Sequence, residues 1–451
     1  MSSPYFVLMG KLRPAFTVKN QIERKDLLQV VTVVIACAAI MYGILYTANK
    51  YFVPIWKGEK IYTDYSVYYE AAQSFRNEAN SAYSNSAPHQ KGGSFNYPPF
   101  SLVLFYPLSF LAFPLSYTLF SVINTLCCVG VGWLTLKIMK EYSTYRIGFR
   151  KELFFLFLCV GLAPIVQNAK HAQINGIIVL VSIAAIYLAL RKSYVIAMVL
   201  LSIGFGLKLY PILLAIPITA LILFDKEEQN RFKIIMYSIL GFMGVQVLSL
   251  LMIPLSLYEY YFTEYIALLS NYTCLSGFNQ SFSGIMMRLL TPDFNAGTWQ
   301  IVEILPLFRT ITLLLQICGL SWVVFMIKRK NDLFFTFCLC ALIMVSMPLL
   351  SPLGWEYVYV MCLPLLGVAY VLGNSEINRV PTITLFSSIA IVTFCVPKIG
   401  YDTLIDLQAK YPDFLFHIYY SRWFFMMIVL SIVVYRAIVA DIKQKQYSTG
   451  S

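Results

Sequence analysis

The sequence predicts an all-α integral membrane protein of about twelve transmembrane helices, with a large first extracytoplasmic loop and one re-entrant or interfacial segment. Three observations carry that expectation. Of 451 residues 59% are hydrophobic and 12% charged, and the mean hydropathy is +0.70, too apolar for an ordinary soluble domain. Apolar runs long enough to cross about 30 Å of hydrocarbon recur along the chain. Between them the bases fall in short clusters, which is how membrane topology is written.

The runs lie near residues 27–49, 116–139, 153–168, 174–190, 194–206, 209–224, 234–254, 306–327, 333–350, 357–372, 381–397 and 422–440. They delimit a cytoplasmic N-terminal segment (1–26), a membrane domain (27–440) and a short, disordered cytoplasmic tail (441–451). The basic start of the chain precedes a run too long for a signal-peptide core, which reads as a retained first span. Residues 98–113 are the exception, being short and interrupted by Pro98, Pro99 and Pro107. The N-terminus (Lys11, Arg13, Lys19, Arg24, Lys25) and the loop with Lys137, Lys140, Arg146, Arg150 and Lys151 are both basic. If both are cytoplasmic, an even number of crossings separates them, so 98–113 dips in and returns or lies at the interface. With that topology the whole net charge of +12 falls on the inner side, and the protein is expected to be a multi-pass protein of the cell membrane with both termini cytoplasmic.

The outward side then holds residues 50–115, the turn Gln167–Gln173, residues 255–305 and residues 398–421, with all three histidines, His89, His171 and His417. Polar variety concentrated there points to work on that face. Nucleic acid is excluded by the lack of a long basic face, and a metal site is not expected from histidines without ligand spacing. No Gly-rich phosphate loop or GxSxG nucleophile motif occurs, so soluble nucleotide chemistry has no visible home. No cofactor is expected.

Asp64 is the first acid with a strong local context, set among Tyr62, Tyr65, Tyr68 and Tyr69. A carboxylate at a membrane surface among aromatics suits a catalytic base, and equally suits the first turn of an interfacial helix with an aromatic belt. Phe95-Asn96-Tyr97-Pro98-Pro99-Phe100 is a rigid aromatic turn entering the membrane. Gln167 to Gly176 is an unusually polar connection carrying His171, Gln173 and Asn175. Lys208 interrupts two half-length apolar runs at membrane depth, which marks a functional group or a snorkelling one. Asn279 and Gln280 lie in a loop ahead of Arg288, a residue suited to an anionic partner. Ser351-Pro352-Leu353-Gly354-Trp355-Glu356 is a short outward connection that brings Trp355 and Glu356 to the mouth of the bundle.

In order, Asp64 with Tyr68 and Tyr69, Tyr97-Pro98-Pro99-Phe100, Gln173 with Asn175, Lys208-Leu209-Tyr210-Pro211, Asn279-Gln280-Ser281 with Arg288, and Ser351-Pro352 with Trp355 resemble polytopic glycosyltransferases of the GT-C type, most closely family 87. That family often places histidine after the tryptophan, where this chain has Glu356, Tyr357 and Val358. The resemblance implies transfer of a hexose or pentose, mannose-like, from a polyprenyl-phosphate-linked donor to a lipid-linked or glycan acceptor, in contact with membrane lipid. It implies Asp64 as general base and Lys208 and Arg288 against the donor phosphate. Tyr68, Tyr69, Tyr97, His171, Gln173, Asn175, Asn279, Gln280, Trp355 and Glu356 would contact sugar or acceptor. A transporter or flippase of a lipid-linked saccharide, or a non-catalytic subunit of an envelope assembly complex, are the alternatives.

Overall fold

The computed structural model describes residues 44–59, 61, 63–83, 94–276, 279–291, 300–330, 332–374 and 421–449, besides Ala38 and Met41. Most of the first expected span, the runs and loops at 375–420, His89 and His417 lie outside the described residues. What is described is helical apart from one small ribbon. Strands β1 (Tyr272–Cys274) and β2 (Ile301–Glu303) pair antiparallel with Tyr272 opposite Glu303, so the expectation of an all-α chain is corrected by two short strands in the third outward piece.

Four helices among the described residues are long and apolar enough to cross a membrane: Phe113–Tyr142, Arg231–Ser249, Pro306–Lys330 and Leu333–Leu350. The pair Phe149–Gly161 and Pro164–Lys170, bent by 46°, makes a fifth if it forms one broken span. Pro164 explains the bend, since it lacks an N–H and its ring would clash with the carbonyl four residues back. Other apolar runs form helices of 10–17 residues. The expected span at 209–224, for example, starts as a 3-10 turn, Tyr210–Leu214, before its α-helix, Ala215–Phe224. Arg231–Ser249 and Pro306–Lys330 are mostly unburied yet apolar, with Phe232, Leu240, Leu248, Leu314 and Phe325 exposed. Faces of that composition are stable against lipid and unstable against water. The chain is a multi-pass membrane protein.

Numbered along the chain, the elements that build the site are α1 (Asp64–Asn77), α2 (Leu102–Leu108), α3 (Phe113–Tyr142), α4 (Ala163–Lys170), α5 (Asn175–Leu190), α6 (Tyr194–Leu207), α7 (Phe282–Leu290) and α8 (Leu333–Leu350). The core sits where α3 packs on α5 and where α8 is buried along most of its length. Residues 98–113 hold only the helical piece Pro99–Leu108, about 15 Å long at helical rise and too short to cross. The turn that follows it supports α1 instead: Tyr69 donates to Leu111 O at 2.7 Å and Arg76 to Ser109 O at 3.1 Å. The tail residues 441–449 continue the last helix, Arg422–Thr449, rather than forming the disordered tail expected.

Candidate active site

Asp64 opens α1. The Thr63 N–H donates to Ser66 Oγ at 3.1 Å and the Ser66 N–H to Thr63 O at 3.0 Å, which starts the helix without using the carboxylate. A carboxylate in a first helical turn is also favoured by the helix dipole. Tyr65 N donates to His171 O at 3.2 Å, tying this helix start to the connection between α4 and α5. In that connection Ala172 has φ +44°, in the left-handed region, and the reversed chain sends Gln173 toward Asp64.

Gln173 Nε2 donates to Asp64 Oδ2. Behind it, Gln173 Oε1 lies 2.8 Å from the Tyr68 hydroxyl and 3.0 Å from that of Tyr97, and the two hydroxyls are 2.5 Å apart. Burial pushes both phenols above their ordinary range, so they stay protonated donors. An ionised carboxylate only accepts, which fixes the amide with its nitrogen toward Asp64. Tyr357 lines the same cavity as Asp64.

Lys208 follows α6 in extended backbone. Its Nζ donates to Asn175 Oδ1 at 2.8 Å and lies 5.3 Å and 5.4 Å from the ring centres of Tyr97 and Tyr210. Tyr210 OH donates to the same Asn175 oxygen at 3.1 Å, and Asn175 Nδ2 to Tyr357 O at 3.3 Å. No ion pair joins Lys208 to Asp64 or to any other carboxylate among the described residues.

These groups share one cavity of about 480 Å³. Asp64, Tyr68, Tyr97, Gln173, Lys208, Tyr210, Trp355 and Tyr357 line it together with Ile212, Leu213, Ile266, Leu269, Met347 and Leu350. A carboxylate, a cation and aliphatic walls in one space suit an anionic lipid-linked substrate.

The remaining expected residues lie elsewhere. Tyr69 faces Phe113 and donates to a backbone carbonyl. His171 packs between Tyr51 and Tyr357 at 6.4 Å and 5.6 Å, beside the cavity rather than among its lining residues. Asn175 is fully buried behind Lys208. Asn279 spends its amide on structure: Nδ2 donates to Thr273 Oγ1 at 2.9 Å and Cys274 O at 3.0 Å, while Oδ1 accepts from Gly354 N at 2.9 Å. Gln280 N donates to Gly354 O at 2.8 Å, and Gln280 is fully buried. Gly354 is needed for this seam, since a Cβ there would stand 2.4 Å from Pro348 O. Arg288 on α7 is buried too, with Nη1 donating to Ser276 O at 2.9 Å and Asn279 O at 2.6 Å and Nη2 to Ser421 Oγ at 3.2 Å. The structure therefore gathers Asp64, Tyr68, Tyr97, Gln173, Lys208 and Trp355, and sets Arg288, Asn279, Gln280 and Glu356 outside the lining.

Sequence reasoning missed Tyr210 and Tyr357 as site residues. Trp355 is extended ahead of the 3-10 turn Glu356–Cys362, and the Tyr357 ring stacks beside that of Trp355 at 6.5 Å. Closeness to Trp355 in the chain was the available signal for Tyr357.

Fold and site together define a multi-pass membrane protein whose charged cavity is walled by aliphatic and aromatic side chains. The profile of glycosyltransferase family 87 matches residues 95–352, more than half of the chain, and the chain belongs to that family. It is also similar to a polyprenol-phosphate-mannose-dependent alpha-(1-2)-phosphatidylinositol pentamannoside mannosyltransferase of Mycobacterium tuberculosis (strain CDC 1551 / Oshkosh), 25% identical over 275 residues, which are 60% of this chain. The matched region spans 57% of that relative's length.

Proposed function

We propose that this family 87 glycosyltransferase transfers a sugar, mannose-like, from a polyprenyl-phosphate-linked donor to a lipid-linked or glycan acceptor at the extracytoplasmic face. The observation that carries the reading is the pair of opposite charges, Asp64 and Lys208, unpaired with each other in one cavity with aliphatic walls. The donor named for the mycobacterial relative has the same chemistry, and the basic clusters of the sequence support the extracytoplasmic face by the positive-inside rule.

In this reaction Asp64 takes the proton of the acceptor hydroxyl, whose oxygen bonds to the anomeric carbon. The bond from that carbon to the donor phosphate breaks, and its electron pair leaves on polyprenyl phosphate. Lys208 balances that charge where water is scarce and a fixed cation counts most. Phosphate is a stable leaving group, so one base suffices.

The test is to incubate purified protein in detergent, without any gradient, with a panel of polyprenyl-phosphate sugars and acceptors. Free polyprenyl phosphate and a new glycosidic bond are expected, with Asp64→Asn reducing transfer by about 10² to 10⁴, the usual share of a general base. Transport of an unchanged saccharide across liposomes, or near-normal transfer by Asp64→Asn, refutes the reading.

A further inference from the structure

Gln173 and Asn175 sit two residues apart in one connection, anchored between them by the fully buried Ile174. One carboxamide donates to Asp64 and the other accepts from Lys208. Each amide is oriented from its far side, Gln173 by the hydroxyls of Tyr68 and Tyr97 and Asn175 by its Nδ2 donating to Tyr357 O, while the Tyr210 hydroxyl shares Asn175 Oδ1 with Lys208. Two opposite charges in one poorly hydrated cavity attract strongly, and direct pairing would be the default. Here each has a neutral dipole in its place.

We propose that the Gln173-Ile174-Asn175 connection is a charge-separating element, in which Gln173 reserves Asp64 for the acceptor hydroxyl and Asn175 reserves Lys208 for the donor phosphate. The proposal rests on the transferase reading above. Both amides are positioning residues rather than sugar ligands. An amide bonded to Oδ2 leaves Oδ1 as the oxygen that receives the acceptor proton. A neutral acceptor on Lys208 holds the ammonium in place without cancelling its charge.

The test reads donor KM, acceptor KM and kcat separately, since uniform binding and transition-state effects fall on different constants. Gln173→Met, which keeps length and volume, is expected to lower kcat by about 10- to 100-fold, with both KM values within about twofold. Asn175→Asp, which is isosteric, places a carboxylate on Lys208 and is expected to raise donor KM by about tenfold or more while acceptor KM holds. If Gln173→Met fails to fold, the pair Tyr68→Phe and Tyr97→Phe releases the same amide and is expected to lower kcat alone. A rise in acceptor KM with kcat unchanged in either Gln173→Met or the tyrosine pair, or a rise in acceptor KM in Asn175→Asp, overturns the proposal in favour of sugar-binding amides. Asp64→Asn is measured in parallel: if it is inactive and Gln173→Met is normal, only this inference fails, whereas an active Asp64→Asn removes the transferase reading itself.

Discussion

Phe100 occupies the space that a side chain on Gly206 would need: a Cβ built on Gly206 would come within 2.4 Å of the Phe100 ring. The end of the Tyr97-Pro98-Pro99-Phe100 turn is thereby packed against α6 two residues before Lys208. The turn's own register is held by Ser101 N donating to Pro98 O at 2.9 Å. The aromatic turn and the lysine are positioned by one contact, although a hundred residues separate them in the chain.

Gly206→Ala is therefore expected to destabilise the protein by about 1–3 kcal/mol, the usual cost of overpacking. It should also weaken donor use, because Lys208 shifts with the end of α6. Thermal unfolding in detergent and donor KM check both, and an unchanged unfolding midpoint would show that Phe100 yields without cost.

Lys208→Ala is expected to raise donor KM by about 10- to 100-fold, the worth of a charged hydrogen bond in a buried setting, and to leave acceptor KM alone. An unchanged donor KM would mean that Lys208 only fills the space between the Tyr97 and Tyr210 rings.

Arg288→Met should act on stability. The guanidinium is buried and donates to Ser276 O and Asn279 O, and deleting it strands those carbonyls at about 1–3 kcal/mol each. A lower unfolding temperature with donor KM preserved is the expected pattern. A rise in donor KM at normal stability would instead restore Arg288 to the phosphate.

The His171 imidazole gives a pH dependence of stability. Burial pushes it down to about 4 against the favourable charge of Asp64, so the folded protein keeps it neutral at pH 7. The unfolded chain takes up a proton near the ordinary value of about 6.5, and stability contributed by this residue falls as pH drops from there toward 4. Unfolding midpoints measured from pH 7.5 to 4.5 should decline, and less steeply in His171→Phe. Equal slopes would exclude His171 as the source.

Much of the site was legible in the sequence. Asp64 among tyrosines, Lys208 between half-length apolar runs and Gln173 in a polar connection are each improbable in a lipid-spanning chain unless they face a polar space, and all three line the cavity. Arg288 and Asn279 were improbable for the same reason, but their partners are groups of the protein itself, including the carbonyls of Ser276 and Asn279 for Arg288 and of Cys274 for Asn279. An unusual polar residue marks an unusual environment without saying whether the partner is substrate or main chain.

The sequence by itself determined the class of protein, the apolar segments and the order of the polar motifs. Partitioning into lipid depends on each segment's own composition, and a one-dimensional pattern records it in full. Only the tertiary structure decided that Gln173 serves Asp64, 109 residues away, that Asn175 serves Lys208, that Tyr357 faces the cavity, and that Pro164 bends one span. Those outcomes turn on which dipole lies within about 3 Å of which charge, a distance that hydrogen bonding requires and that folding alone supplies.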